Sequence, residues 1–73
     1  MAWKYMTSIG TLFIKKINSA NYGVFFNDEV GDQDPDPHLL ADNVYMFCCG
    51  CTSWDLLAGK VTPPADLSYW TPC

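Results

Sequence analysis

The chain has no arginine, one histidine and only four basic residues, Lys4, Lys15, Lys16 and Lys60. Counterion release from a phosphate backbone needs several cationic contacts on one face, so this supply argues against direct nucleic-acid binding. A long apolar run is also missing. The longest, Val44–Cys49 continuing through Gly50 to Cys51, is far too short to cross a bilayer. Near the amino terminus, Thr7, Ser8 and Thr11 break up any signal-peptide core, and Lys15 and Lys16 come after the apolar residues. The expectation is a cytosolic chain with no membrane partner. Internal repeats and low-complexity segments are absent too.

Negative charge is abundant. Six of the eight carboxylates are Asp28, Glu29, Asp32, Asp34, Asp36 and Asp42, and the net charge is −4. That run predicts a strongly acidic surface, suited to a basic protein partner approached by electrostatic steering. Nearly half of the 73 residues are hydrophobic and 15% are aromatic, which excludes intrinsic disorder. One small domain is expected, burying roughly 60–65% of the surface of its unfolded chain.

Two strands are legible between Thr11 and Asn27. The segments TLFIKKI (11–17) and YGVFFN (22–27) are rich in aromatic and β-branched residues, with turn chemistry at Asn18–Asn21 between them. A tight turn at Asn27-Asp28-Glu29 leads into a short third strand near Val30–Gly31. Alternation puts Leu12, Ile14 and Lys16 with Tyr22, Val24 and Phe26 on one face, and Phe13, Lys15 and Ile17 with Phe25 on the other. Both faces carry large apolar groups, so the second must be covered by the termini or used for binding.

A helix is predicted over 36–49. Asp36 is a good N-cap, Pro37 suits the first helical position, and Gly50 supplies the stop. Leu40, Val44, Phe47, Cys48 and Cys51 would share its buried face, opposite His38, Asp42, Tyr45 and Cys49. The predicted fold is therefore α+β: a three-stranded antiparallel sheet over 11–31, one packed helix, and an irregular tail over 50–73 anchored by Trp54 and Trp70. Within that tail, Ala65–Tyr69 could form one helical turn.

Three kinds of chemistry can be weighed on these residues. Cys48-x2-Cys51 has zinc-ligand spacing, with Cys73 and His38 as further ligands. The second knuckle is missing, however, and His38 would sit about 15 Å from Cys48 along the predicted helix. Clustered thiols in a chain without a signal peptide read more simply as reduced and buried. Asp32-Gln33-Asp34-Pro35-Asp36 resembles the start of a calcium loop, but Pro37 and Asn43 stand where glycine and glutamate are required. No cofactor follows. His38 lacks a neighbouring nucleophile, and so small a domain leaves little room for a pocket of ~300 Å³, so no enzyme activity is expected.

What is left is surface. Asp28, Glu29, Asp32 and Asp34 are the expected partner-binding carboxylates, with Phe13 and Phe25 as the apolar anchor. The order of FNDEVG, an Asp-Pro followed by LLADNVY, CTSWD and a closing PPADLSYW resembles small uncharacterised proteins of bacteria and phages, from Thr11 to about Trp70. That resemblance concerns fold. In length and acidity the chain also resembles small phage-encoded regulators that bind bacterial RNA polymerase. This second resemblance implies a module in the host cytoplasm that engages the amino-terminal region of the largest polymerase subunit, inhibits initiation and promotes antitermination. No residue is assigned by it. A zinc-stabilised structural or adaptor domain and an acidic mimic of nucleic acid are the alternatives.

Overall fold

In the computed structural model, which describes residues 1–73, the chain forms a five-stranded antiparallel sheet with one main helix. Strand β1 is Ala2–Thr7, β2 Gly10–Lys16, β3 Tyr22–Phe26, β4 Glu29–Asp34 and β5 Thr71–Pro72. Helix α1 spans Pro37–Tyr45, and a single turn, α2, spans Thr52–Asp55. A 3-10 turn at Leu67–Tyr69 precedes β5. The strand order is β4-β3-β2-β1-β5.

The predicted hairpin is present, in the register Leu12↔Phe26, Phe13↔Phe25 and Ile14↔Val24. The sheet is larger than the three strands expected over 11–31. Residues 2–7 extend it as β1, where Trp3 and Tyr5 alternate with Lys4 and Met6 opposite β2. The tail then returns to pair Thr71 with Lys4 and Pro72 with Trp3. The segment after Gly50 is thus less irregular than its prolines suggest. Asp66 caps the 3-10 turn by accepting from the Ser68 amide at 2.8 Å.

Helix α1 starts as expected, with the Asp36 side chain accepting from the His38 amide at 2.9 Å. It stops at Tyr45, earlier than the predicted 49. Phe47 adopts the left-handed conformation at φ 55°. The Cys48 amide donates to the Asn43 carbonyl at 2.9 Å and the Phe47 amide to the Val44 carbonyl at 3.1 Å. This is a Schellman motif with phenylalanine where glycine is usual. The early stop reverses two facing assignments. Cys48 is exposed and Cys49 is fully buried, because neither lies on the helix.

Beyond that stop, the chain crosses the β4 edge. A β-bulge sets Gly31 and Asp32 against Val24, and the Asp32 amide donates outward to the Cys49 carbonyl at 2.6 Å. A Cβ on Gly31 would overlap that carbonyl, so this crossing requires glycine. The 47–51 segment in this way covers the middle of the edge strand at Asp32.

The core is one cluster. Leu12, Ile14, Val24 and Phe26 from the sheet meet Leu40, Ala41 and Val44 from α1, with Cys49, Cys51, Trp54, Leu67 and Trp70 closing it. Trp54 and Trp70 pin the tail, as their size and apolarity suggest. The Trp54 and Phe26 rings meet edge to face with centroids 5.6 Å apart, and the Trp54 Nε1–H donates to the Val44 carbonyl at 3.0 Å.

Candidate interaction surfaces

Because α1 and the tail pack on the Leu12/Ile14/Val24/Phe26 side, the register fixes what the other side of the sheet presents. One row runs Lys4–Phe13–Phe25–Val30 across four strands. The next runs Ala2–Lys15–Gly23–Gln33, and Met6 pairs Thr11 beyond the first. Phe13 and Phe25 are half-buried neighbours, while Val30 and Met6 are 55% and 72% exposed. The Lys15 ammonium lies 4.6 Å from the Phe25 ring centre and 5.5 Å from that of Phe13. Such a cation–π contact contributes about 0.5–1 kcal/mol at an exposed site. The amino terminus widens this sheet and does not cover its outer face.

The carboxylates lie elsewhere. Glu29 reaches the helix side and accepts from the Ser53 amide at 3.1 Å. Its carboxyl is held below the ordinary range, first by the Ser53 side chain and then by the Ser53 and Thr52 amides. Asp32 accepts from the Asn43 side chain at 3.3 Å, and Asp34 from the Asp36 amide at 2.9 Å. Asp28 is exposed in the β3–β4 turn, Asp36 at the cap of α1 and Asp42 on that helix. Asp28, Glu29, Asp32, Asp34 and Asp36 therefore form a rim along β4 and the start of α1. Their partners are backbone amides and one asparagine, not lysines. Phe13 and Phe25 are brought together as a cross-strand pair, but on the opposite side of the sheet from Glu29, Asp32 and Asp34.

Exposed apolar residues do accompany the rim. Leu39 and Met46, at the two ends of α1, are 44% and 58% exposed. Met46 is not legible as an exposed helix end, because a helix over 36–49 would hold it within its last turns.

The four cysteines are free. Cys48 and Cys73 are exposed whereas Cys51 is buried, and no group of three or more His, Cys, Asp or Glu side chains is arranged to hold a metal ion. Cys49 donates through its amide to Asp55 at 3.2 Å and through its thiol at 3.4 Å. Burial pushes the Cys49 and Cys51 thiols up, so neither is a ready thiolate nucleophile at neutral pH.

Two open clefts flank the 3-10 turn, larger than the domain's size suggested. One, of about 580 Å³, is lined by Tyr5, Tyr45, Tyr69 and the 62–65 segment. The other, of about 380 Å³, lies among Trp3, His38, Leu67, Ser68, Trp70 and Pro72. Neither lining contains a cysteine or a carboxylate. No helix is long and apolar enough to cross a membrane.

The chain matches no protein-family model, no curated protein and no solved structure.

Proposed function

We propose that this chain is a non-enzymatic docking module whose acidic rim engages a basic surface of bacterial RNA polymerase and regulates transcription. The observation that carries the docking part is the rim itself. Asp28, Asp32 and Asp34 lie on the β4 edge strand and the turn before it, Asp36 caps α1 and Asp42 follows on that helix, and none of their side-chain hydrogen bonds is to a lysine. A rim of this kind accelerates encounter with a cationic surface and fixes orientation, while exposed Leu39 and Met46 supply apolar contact. The choice of polymerase, with the amino-terminal region of its largest subunit as the site, comes from likeness to phage regulators in size and acidity. With it come inhibition of initiation, antitermination and a place in the host bacterial cytoplasm.

The electrostatic part is tested by replacing Asp28, Asp32 and Asp34 with Asn and following association with polymerase at several ionic strengths. Slower association and a flatter salt dependence are expected. Unchanged kinetics would mean that the rim is not the contact.

A further inference from the structure

We propose that the outward face of α1 docks a basic amphipathic helix, one that presents two apolar side chains seven residues apart with a lysine or arginine between them. The proposal rests on the docking reading of the acidic rim and names the element that this side of the fold receives. It does not rest on the choice of polymerase.

Leu40, Ala41 and Val44 are fully buried in the core, so the line Leu39, Asp42 and Met46 points away from it. These three follow i, i+3, i+7 spacing, and all are exposed. Met46 keeps the helical register although it caps α1, because its amide donates to the Asp42 carbonyl at 3.0 Å. On one flank Asn43 donates to the Asp32 carboxylate at 3.3 Å, and on the other stand His38 and half-exposed Tyr45. Neither α1 nor β4 carries a lysine.

Spacing selects the kind of element. Leu39 and Met46 are about 10.5 Å apart along the helix, at 1.5 Å of rise per residue. A partner helix repeats that interval, and two helices mesh side chains so spaced at a shallow crossing angle. Along a strand, side chains on one face recur every ~6.7 Å, so neither one step nor two meets both residues.

The centre of the line selects the charge. A partner apolar throughout would bury the Asp42 carboxylate without a counterion, which is costly. A second copy of this chain is disfavoured by the same residue. About a two-fold axis, parallel or antiparallel, α1 would set Asp42 against its own counterpart. A lysine or arginine three or four residues after the first apolar side chain meets Asp42 instead, with the Asp32 carboxylate close by on the flank.

The test titrates the isotope-labelled full chain with synthetic helical peptides of about 20 residues, followed by nuclear magnetic resonance. The first peptide carries leucines seven apart, with a lysine three residues after the first leucine. In the second that lysine is glutamate, and in the third the same residues are reordered so that the leucines fall on opposite faces. The expected result is weak binding of the first peptide, with shifts centred on Leu39, Asp42 and Met46. The glutamate peptide should bind at least about fivefold more weakly, and the reordered peptide should not bind. Asp42→Lys should reverse the order and prefer the glutamate peptide, which also shows that the variant is folded. Met46→Glu should abolish binding with the circular-dichroism spectrum unchanged. No binding of the first peptide at millimolar concentration, shifts centred elsewhere, equal affinity for the glutamate peptide, or no reversal in Asp42→Lys would each overturn the proposal. The polymerase reading fails separately. Peptide binding without polymerase co-elution upholds the helix site and removes only the polymerase. Co-elution that survives both Asp42→Lys and Met46→Glu overturns the helix site and leaves the rim as the contact.

Discussion

The ring of Phe47 stacks on the indole of Trp54, with centroids 5.3 Å apart and planes 14° from parallel. The left-handed turn that ends α1 is what brings Phe47 back over the tail. One residue therefore stops the helix and anchors the segment that follows it. A left-handed non-glycine costs about 1–2 kcal/mol, so the stacking must offset that strain.

Phe47→Ala should destabilise the fold by about 2 kcal/mol, less than a fully buried phenylalanine because the ring is half-exposed. Phe47→Gly should be the milder change by about 1 kcal/mol, since it removes the strain along with the ring. Urea denaturation of the two variants checks the order. A glycine variant less stable than the alanine variant would show that the turn is not strained.

Gly31→Ala should cost more than about 2 kcal/mol, because its Cβ would overlap the Cys49 carbonyl and break the bond from the Asp32 amide. At Gly59 a Cβ meets nothing within 4 Å, and only the φ of 80° opposes it. Gly59→Ala should cost about 1 kcal/mol. Thermal melts of both variants separate the steric effect from the backbone effect.

The buried thiols give the fold an alkaline limit. An unperturbed thiol here titrates near 9.0, and burial raises Cys49 well above that in the folded state. Below about 9 both states hold the proton and stability is unaffected. As pH rises past 9 the unfolded chain ionises first, so stability falls. Melting temperature should drop above pH 9, and the drop should be shallower in Cys49→Ala. An identical alkaline slope in that variant would remove the thiol from the explanation.

Glu29 acts in the opposite direction. Its carboxyl is held below the ordinary value of 4.5 by Ser53, so its contribution is present above 4.5 and is lost as pH falls through the depressed value. Glu29→Gln should lower stability at neutral pH and flatten the acid side of the stability–pH profile, so that variant and parent converge in acid. A profile that falls just as steeply in acid would contradict this role.

Much of the fold could be read from local chemistry, and the failures share a cause. The β2–β3 hairpin and the Asp36 cap are set by neighbours in sequence, and both stand where alternation and capping put them. The helix end is different. Gly50 is the obvious stop, yet Phe47 ends α1 because its ring gains Trp54, a contact no local pattern contains. Strand β1 was hidden for the same reason. Its alternation of Trp3 and Tyr5 with Lys4 and Met6 is short, and only pairing with β2 gives it meaning. Charge could be counted from sequence, but its distribution could not. The run Asp28–Asp42 became a rim on one side, and strand register turned Lys4 and Lys15 to the other. Phe13 and Phe25 kept the predicted face and lost the predicted acidic neighbours.

The measurement that bears most directly on the docking proposal is co-elution of the purified protein with bacterial RNA polymerase core and holoenzyme, at low and moderate salt. Co-elution that weakens as salt rises is the expected result, and it would justify mapping the rim residue by residue. Failure to co-elute with either form at low salt would contradict the polymerase assignment and leave an acidic α+β module in need of another partner.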